Sequence, residues 1–288
     1  MEKIQRKKSA SISTNISQGM INLQIQSVRK NINPNFFKVN DERQQNGLLV
    51  FDKKRDFEAQ QEEKLVEYSG IRTVTSEKPL KLAWIFDTTD IENLKFKSMI
   101  LDQGMTEENK SHSLNFNLGK LALSQCPGKK IEKGRDGKRH DRDIFKDIEA
   151  YANQGINLII CLLSDSELRS LGLKVPDYEL ACDRSNVILF KYPIIEMAPP
   201  ENLEQFHKEV VEVIVKHLLQ NKGNVLIHCR GGVGRAGLLA CCVLSYFCEF
   251  GNFKKIIEFM RKRRDKRCVE SRKQEDFVKA YFNFINSQ

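Results

Sequence analysis

The distribution of apolar residues along the chain divides it into two unequal parts. Residues 1 to about 78 are rich in Lys, Asn, Gln, Ser and Glu and contain only short apolar islands, so they can contribute little to a core. From Pro79 onwards the apolar positions become regular, beginning with the alternation in "LKLAWIF". We therefore predict a polar, basic, flexible extension over 1–78 and a folded domain over 79–288. The alternative for the extension is an ordered docking element, built on a weak helical pattern between Phe57 and Tyr68.

Within the second part, helical and extended patterns alternate. A helical spacing that begins at Ile144 ends at Gly155, and the continuous apolar run "INLIICLL" that follows is typical of a buried parallel strand. A short helix after Ser164, a strand in "NVILFKYP", an amphipathic helix over 201–221, a strand in "NVLIH" and the apolar helix "GLLACCVLSYFCEF" come next. A further helix begins near Asn252. This order predicts an α/β, three-layer sandwich in which helices flank a central, mostly parallel sheet.

Composition places the chain among ordinary globular proteins. It has 288 residues, of which 40% are hydrophobic and 30% charged. The longest apolar run, Gly237 to Phe247, has about half the roughly 20 residues needed to cross a bilayer. Because the start also has no apolar segment of the secretory type, we predict no membrane span and a location in the cytoplasm, extending to the nucleus. Eight cysteines without a CxxC pair and five scattered histidines favour a reducing compartment and no metal site.

The formal net charge of +9 is unevenly distributed. Basic residues cluster in residues 1–45 and in "RKRRDKR" at 261–267, and either cluster could steer an acidic, phosphorylated partner. A solvated helix end is the commoner explanation of the second cluster. No aromatic residues alternate with it to stack on bases, so we predict no nucleic-acid binding. The extension remains a candidate site for an assembly partner.

The ten residues from 228 to 237, "HCRGGVGRAG", carry the most specific chemistry. Gly232, Gly234 and Gly237 match the G-x-G-x-x-G pattern of dinucleotide-binding turns between a strand and a helix. That pattern also requires an acidic residue some 20 positions later, at the end of the next strand. Here the position falls in "KKIIEFMRKRR", where Glu258 belongs to a basic helical pattern. The dinucleotide hypothesis is therefore disfavoured.

A second interpretation accounts for more of these residues. Cys229 and Arg235 enclose a glycine-rich interior, and glycines allow the dihedral angles by which a loop turns several N–H groups toward one phosphate. The positive end of the following helix favours both an anion and a thiolate. Arg235 can then bind two phosphate oxygens through its planar guanidinium. A glycine-rich turn around a merely buried cysteine is the remaining structural alternative.

The H-C-x5-R pattern resembles the signature of the cysteine-dependent protein phosphatases. The segments "LALSQCPGKK", "GINLIICLLSDSEL", "YPIIEMAPP" and "VESRKQEDFV" further resemble the kinase-associated type of dual-specificity phosphatase. The resemblance implies that Cys229 is the nucleophile, that Arg235 binds phosphate and that His228 sets the environment of the cysteine. The cradle would be formed by Arg230, Gly231, Gly232, Val233, Gly234 and Ala236. No cofactor or metal is implied.

The composition of the loop bears on the substrate. Inositol-lipid phosphatases tend to carry lysines inside this loop, and the loop of this chain has none. Its composition therefore favours a phosphoprotein substrate, with protein kinases as candidates.

Three positions bear on how well such an enzyme would work. Glu196, in "PIIE", stands where the family usually has an aspartate as general acid, and its extra methylene predicts reduced efficiency. Ala236 stands where many relatives have a hydroxyl that assists departure of the cysteine, so the intermediate should hydrolyse more slowly. Gln274 is a candidate for orienting the attacking water, or else a solvated helix residue.

The sequence therefore predicts a dual-specificity protein phosphatase that works through a cysteinyl-phosphate intermediate. The alternative is a weakly active or inactive phosphatase-like binding protein that uses residues 1–78 within a larger assembly. Cys229 and Arg235 favour the enzyme, whereas Glu196, Ala236 and the long extension favour the binding protein.

Overall fold

The computed structural model describes residues 73–86, 94–97 and 118–287. All of them belong to the second of two units into which the chain divides, Tyr68–Gln288. The predictions that concern residues 1–72, namely the flexible extension, its docking alternative and its assembly partner, lie outside the described residues.

A five-stranded sheet forms the centre of this unit. The described strands are β1 (Thr73–Thr75), β2 (Ala83–Phe86), β3 (Leu121–Gln125), β4 (Lys130–Ile131), β5 (Arg139–Asp141), β6 (Ile156–Cys161), β7 (Ile188–Lys191) and β8 (Asn224–Cys229). The central sheet has the order β2-β3-β8-β6-β7, in which only the pairing of β2 with β3 is antiparallel. β3, β6 and β8 are almost entirely buried, as expected of apolar strands covered on both faces. The predicted mostly parallel sheet is confirmed.

Helices flank this sheet on both sides, which confirms the predicted three-layer α/β architecture. They are α1 (Ile144–Ala152), α2 (Asp165–Ser170), α3 (Val175–Arg184), α4 (Leu203–Phe206), α5 (Glu212–Leu219), α6 (Gly234–Phe247), α7 (Phe253–Arg263) and α8 (Arg272–Asn286). The amphipathic helix predicted over 201–221 contains a π-helical turn, His207–Val211, between α4 and α5. α3 was not predicted, because its polar sequence buries only a narrow stripe of Tyr178, Ala181 and Cys182.

The helices that border the site begin at side-chain caps. Asp143 accepts hydrogen bonds from the first-turn N–H groups of α1. Ser164 and Glu167 form a reciprocal capping box on α2, and Ser271 and Gln274 form another on α8. Each box satisfies N–H groups that the first turn of a helix leaves without partners. α6 differs, since no side chain caps its first turn.

A smaller sheet of order β1-β5-β4 joins residues 73–78 to the domain. β1 pairs with β5 in parallel, from Thr73 opposite Arg139 to Thr75 opposite Asp141. The ordered fold thus begins a few residues before the start predicted at Pro79. Short polar strands of this kind have no apolar alternation, so the sequence pattern did not indicate them.

In the described residues, no helix is long and apolar enough to cross a membrane. All eight cysteines are free and buried. Buried thiols other than Cys229 therefore pack as small apolar side chains.

Candidate active site

The site lies at the carboxyl end of β8, where the chain turns into α6. Cys229 is the last residue of the strand, and Arg235 is the second residue of the helix. Both are almost completely buried, with 4% and 3% of their surfaces exposed. The strand and the helix thus fix both ends of the loop, and they bring together the two residues that the sequence predicts as nucleophile and phosphate ligand.

Arg264, which follows α7, orients the peptide groups of this loop. Its Nε donates to the carbonyl oxygen of Gly232 at 2.8 Å, and its Nη2 donates to that of Gly231 at 3.0 Å. In a trans peptide the next N–H points away from the carbonyl, so the N–H groups of Gly232 and Val233 are turned away from Arg264. Neither N–H donates to any residue that the structure describes. Together with the uncapped start of α6, they form a set of free donors suited to an anion.

The backbone of Gly232 requires glycine at this turn. Its φ is +66°, and a Cβ there would overlap the carbonyl oxygen of Ser124. A Cβ at Gly234 would meet the carboxylate of Glu270, which lies against the start of α6. The glycines therefore permit close approach of neighbouring groups as well as an unusual dihedral angle.

One edge of the Arg235 guanidinium is held by the protein, and the other edge is free. Its Nη1 donates to Glu167 Oε2 at 3.0 Å and to the carbonyl oxygen of Ile194 at 2.8 Å, with a longer contact to Leu162, and it forms an ion pair with Glu167 Oε1 at 2.8 Å. Nε and Nη2 make no hydrogen bond to the described residues. These two donors form the edge that binds two oxygens of one phosphate. The sequence did not indicate Glu167, which lies 68 positions away and is recognisable only as a helix cap.

His228 lies beneath the loop and is completely buried. Its Nε2 shares a hydrogen bond of 2.8 Å with the Tyr178 hydroxyl, and its Nδ1 lies 3.4 Å from the carbonyl oxygen of Cys229. Burial lowers the pKa of His228 to about 4. The ring is therefore neutral at physiological pH. It contacts the backbone of the cysteine, consistent with the predicted role in setting its environment.

The predicted acid, Glu196, lies on a loop that the structure ties directly to the phosphate-binding arginine. The carbonyl oxygen of Ile194 accepts from Arg235, and two further residues of chain reach at most about 7 Å. The Glu196 side chain is partly exposed, and its Oε1 accepts from Arg135 Nη2 at 2.8 Å. On the other side, the carbonyl oxygen of Met197 accepts from Ser271 Oγ at 2.7 Å. The loop is thus fixed at both sides of Glu196.

The structure excludes one of the two roles predicted for Gln274. It is completely buried, so the alternative of a solvated helix residue is wrong. Its Oε1 accepts from the N–H groups of Glu270 and Ser271 at 2.9 and 3.4 Å, and its Nε2 lies 3.5 Å from the carbonyl oxygen of Ala198. The side-chain amide of Gln274 therefore caps α8 and supports the loop that carries Glu196. Orientation of a water by Gln274 stays a prediction.

The remaining loop positions agree with a closed cradle. Val233 and Ala236 are buried, Arg230 is half-buried and Gly231 is exposed at the rim. Ala236 provides a methyl group where a hydroxyl could have assisted the second step. Among the described residues, no group of three or more His, Cys, Asp or Glu side chains is arranged to hold a metal ion.

Comparison with known proteins shows similarity to phosphatases. Residues 139–278 match the family model described as the DSP-PTPase phosphatase domain of Swiss Army Knife proteins. Cyclin-dependent kinase inhibitor 3 of Homo sapiens is 25% identical over 196 residues, which cover 68% of this chain and 85% of the relative. A phosphatidylinositol 3,4,5-trisphosphate 3-phosphatase of Dictyostelium discoideum is 33% identical over 82 residues, which cover 28% of this chain and 12% of the relative.

The fold is also similar to a solved structure. A crystal structure of kinase-associated phosphatase, with its catalytic-site cysteine substituted by serine, superposes with a TM-score of 0.54 at 22% identity. The match covers 74% of this chain and 99% of that chain. The predicted phosphatase fold is confirmed over the domain.

Proposed function

Since this chain is a dual-specificity protein phosphatase similar to kinase-associated phosphatase, we propose that its reaction runs through Cys229, Arg235 and Glu196. The observation that carries these assignments is the ring of free donors beside Cys229. The N–H groups of Gly232 and Val233 and the free edge of Arg235 all lack partners among the described residues. Donors arranged in this way can hold the equatorial oxygens of a phosphoryl group in the transition state.

In the first step, the Cys229 thiolate attacks phosphorus and forms a sulfur–phosphorus bond. The bond between phosphorus and the side-chain oxygen of the substrate breaks, and this oxygen takes the proton of Glu196. Glu196 exchanges its contact with Arg135 for the leaving oxygen. Arg235 and the loop N–H groups hold the cysteinyl-phosphate.

In the second step, a water molecule attacks phosphorus while Glu196 accepts its proton. The sulfur–phosphorus bond breaks, inorganic phosphate leaves and the thiolate is restored. Because Ala236 has no hydroxyl to assist departure of the sulfur, this step limits turnover. The step needs no metal or organic cofactor.

The substrate is a phosphoprotein, and the finer assignment of a protein kinase follows from the relatives' name. The human relative is named for inhibition of a cyclin-dependent kinase. We extend to this chain only the proposal that a phosphorylated kinase is a candidate substrate. A cytoplasmic and nuclear location, with an assembly partner for residues 1–78, completes the proposal.

Hydrolysis of an aryl phosphate and of a phosphothreonine peptide tests the assigned roles. Cys229→Ser should abolish both reactions. Glu196→Gln should lower kcat/KM for the peptide by about a hundredfold and affect the aryl phosphate far less, because an aryl oxygen leaves without protonation. Glu196→Asp is the matched control and should retain peptide hydrolysis. If Glu196→Gln lowers kcat/KM equally for the two substrates, Glu196 is not the general acid.

A further inference from the structure

Lys129 is a buried cation that forms no ion pair within the described part of the chain. Only 6% of its surface is exposed. Its Nζ donates to Gln125 Oε1 at 3.2 Å, and it makes no salt bridge with a carboxylate of the described residues. An ammonium has three N–H donors, so two of them lack a partner there. A buried charge without partners is costly, and such groups usually meet a ligand of opposite charge.

The neighbours of Lys129 place its ammonium beside the catalytic loop. Gln125 is the register partner of Cys229 across β3 and β8, and register partners project from the same face of a sheet. The N–H of Cys126 donates to the carbonyl oxygen of Arg230 at 3.3 Å. The segment 126–129 therefore runs alongside the first residues of the loop, and Gln125, the hydrogen-bond partner of the ammonium, projects from the same face of the sheet as Cys229.

Several neighbouring groups act on the charge of Lys129. Burial lowers the pKa of Lys129, and the Arg230 guanidinium lowers it further. The thiols of Cys126 and Cys229 and the carboxylate of Asp136 act in the opposite direction. A dianionic ligand at the loop would add a much larger stabilisation of the ammonium than these groups provide.

We propose that Lys129 is a phosphate-binding residue of this pocket, contributed from outside the loop, which donates to an oxygen of the substrate phosphoryl group opposite Arg235. The proposal rests on the function proposed above. It assigns the pocket a second side-chain cation, although the interior of the loop contains no lysine. The ligand class is a tetrahedral oxyanion carrying two negative charges.

Calorimetric binding of tungstate, a tetrahedral dianion, tests this proposal in the full-length chain. A Cys229→Ser background excludes reactions of the nucleophile. Lys129→Met should weaken binding by about tenfold or more, because a charge-assisted hydrogen bond is lost. Lys129→Gln, which keeps a donor without the charge, should also bind weakly. Lys130→Met, next to it but exposed, is the control and should bind like the parent. Binding by both Lys129 variants within twofold of the parent would overturn the proposal.

Two further measurements separate this proposal from its competitors. Arg235→Met in the same background tests the pocket itself. If the parent already fails to bind tungstate, the proposed function fails. If only Arg235→Met loses binding, Lys129 alone is misassigned.

The second measurement is the pH dependence of Cys229 alkylation in the chain that keeps its native Cys229. A change in that profile without a change in tungstate binding would assign Lys129 to the thiolate and overturn phosphate binding. The melting temperature of Lys129→Met should stay equal or rise, because an unpaired buried charge is removed.

Discussion

At the scale of single residues, the buried histidine beneath the loop links the site to the stability of the fold. His228 has no exposed surface, and burial lowers its pKa to about 4 from an ordinary value of 6.5. Between these two pH values the unfolded chain binds a proton that the folded chain does not. The stability contributed by the neutral ring is therefore complete above pH 6.5 and is lost as pH falls toward 4.

The expected size of this loss is about 3 kcal/mol, since one pKa unit corresponds to about 1.4 kcal/mol. Urea unfolding at a series of pH values, for the wild type and His228→Asn, would measure it. The wild type should lose about 3 kcal/mol more than the variant between pH 7 and pH 4. Carboxylates and other histidines titrate in both proteins, so the difference isolates His228. Parallel curves would mean that the ring is not kept neutral by burial.

At the scale of elements, the loop between β8 and α6 requires glycine at position 232 but not at the preceding position 231. Gly232 has a positive φ and no space for a Cβ, whereas a Cβ at Gly231 would have only the Val233 side chain near it, at 4.0 Å. Gly232→Ala should therefore abolish tungstate binding and lower the melting temperature. Gly231→Ala, with the same change of composition, should leave both near the wild-type values. Equal effects of the two substitutions would show that the loop geometry is not what limits binding.

The same loop depends on Arg264, which the charge pattern grouped with a solvated basic cluster. Arg264 holds two loop carbonyl oxygens, so Arg264→Met should lower kcat/KM for an aryl phosphate by about tenfold or more. Lys262→Met removes one charge from the same exposed cluster and serves as the matched variant. If the two losses are equal and both shrink with added salt, the cluster acts by long-range attraction alone.

At the scale of the whole molecule, residues 73–78 are tied to the folded unit by partly buried hydrogen bonds. The buried Arg142 forms a bidentate ion pair with Asp147 at 2.6 and 2.8 Å and also donates to the carbonyl oxygens of Thr75 and Lys78. Ser76 Oγ donates to Asp147 at 2.9 Å. These bonds satisfy a charged pair that is 1% exposed, and they explain why the fold begins before Pro79.

Two truncated chains test where the domain begins. A chain starting at residue 73 keeps every partner of Arg142 and should retain the kcat/KM of the full chain for an aryl phosphate. A chain starting at residue 79 leaves Arg142 and Asp147 short of partners, so its free energy of unfolding should be lower by about 2 kcal/mol or more. Urea unfolding compares the two. Identical unfolding midpoints and slopes for the two truncated chains would place the domain boundary between residues 78 and 79. A loss of activity in the chain that starts at residue 73, relative to the full chain, would assign a catalytic role to residues 1–72.

The sequence by itself determined the alternating order of strands and helices and the identity of the loop that holds Cys229 and Arg235. Both depend on residues close together in the chain, since apolar periodicity and glycine spacing express local backbone geometry. Only the tertiary structure decided which distant side chains complete the site. Glu167 and Arg264 contact the loop and its arginine from two other segments, and buried Lys129 lies on a third segment that runs beside the loop. Gln274 is buried because α8 packs beside the loop that carries Glu196. A charged residue has the same local pattern whether it lies in solvent or against a buried carbonyl, so its role follows from packing between elements that are distant in sequence.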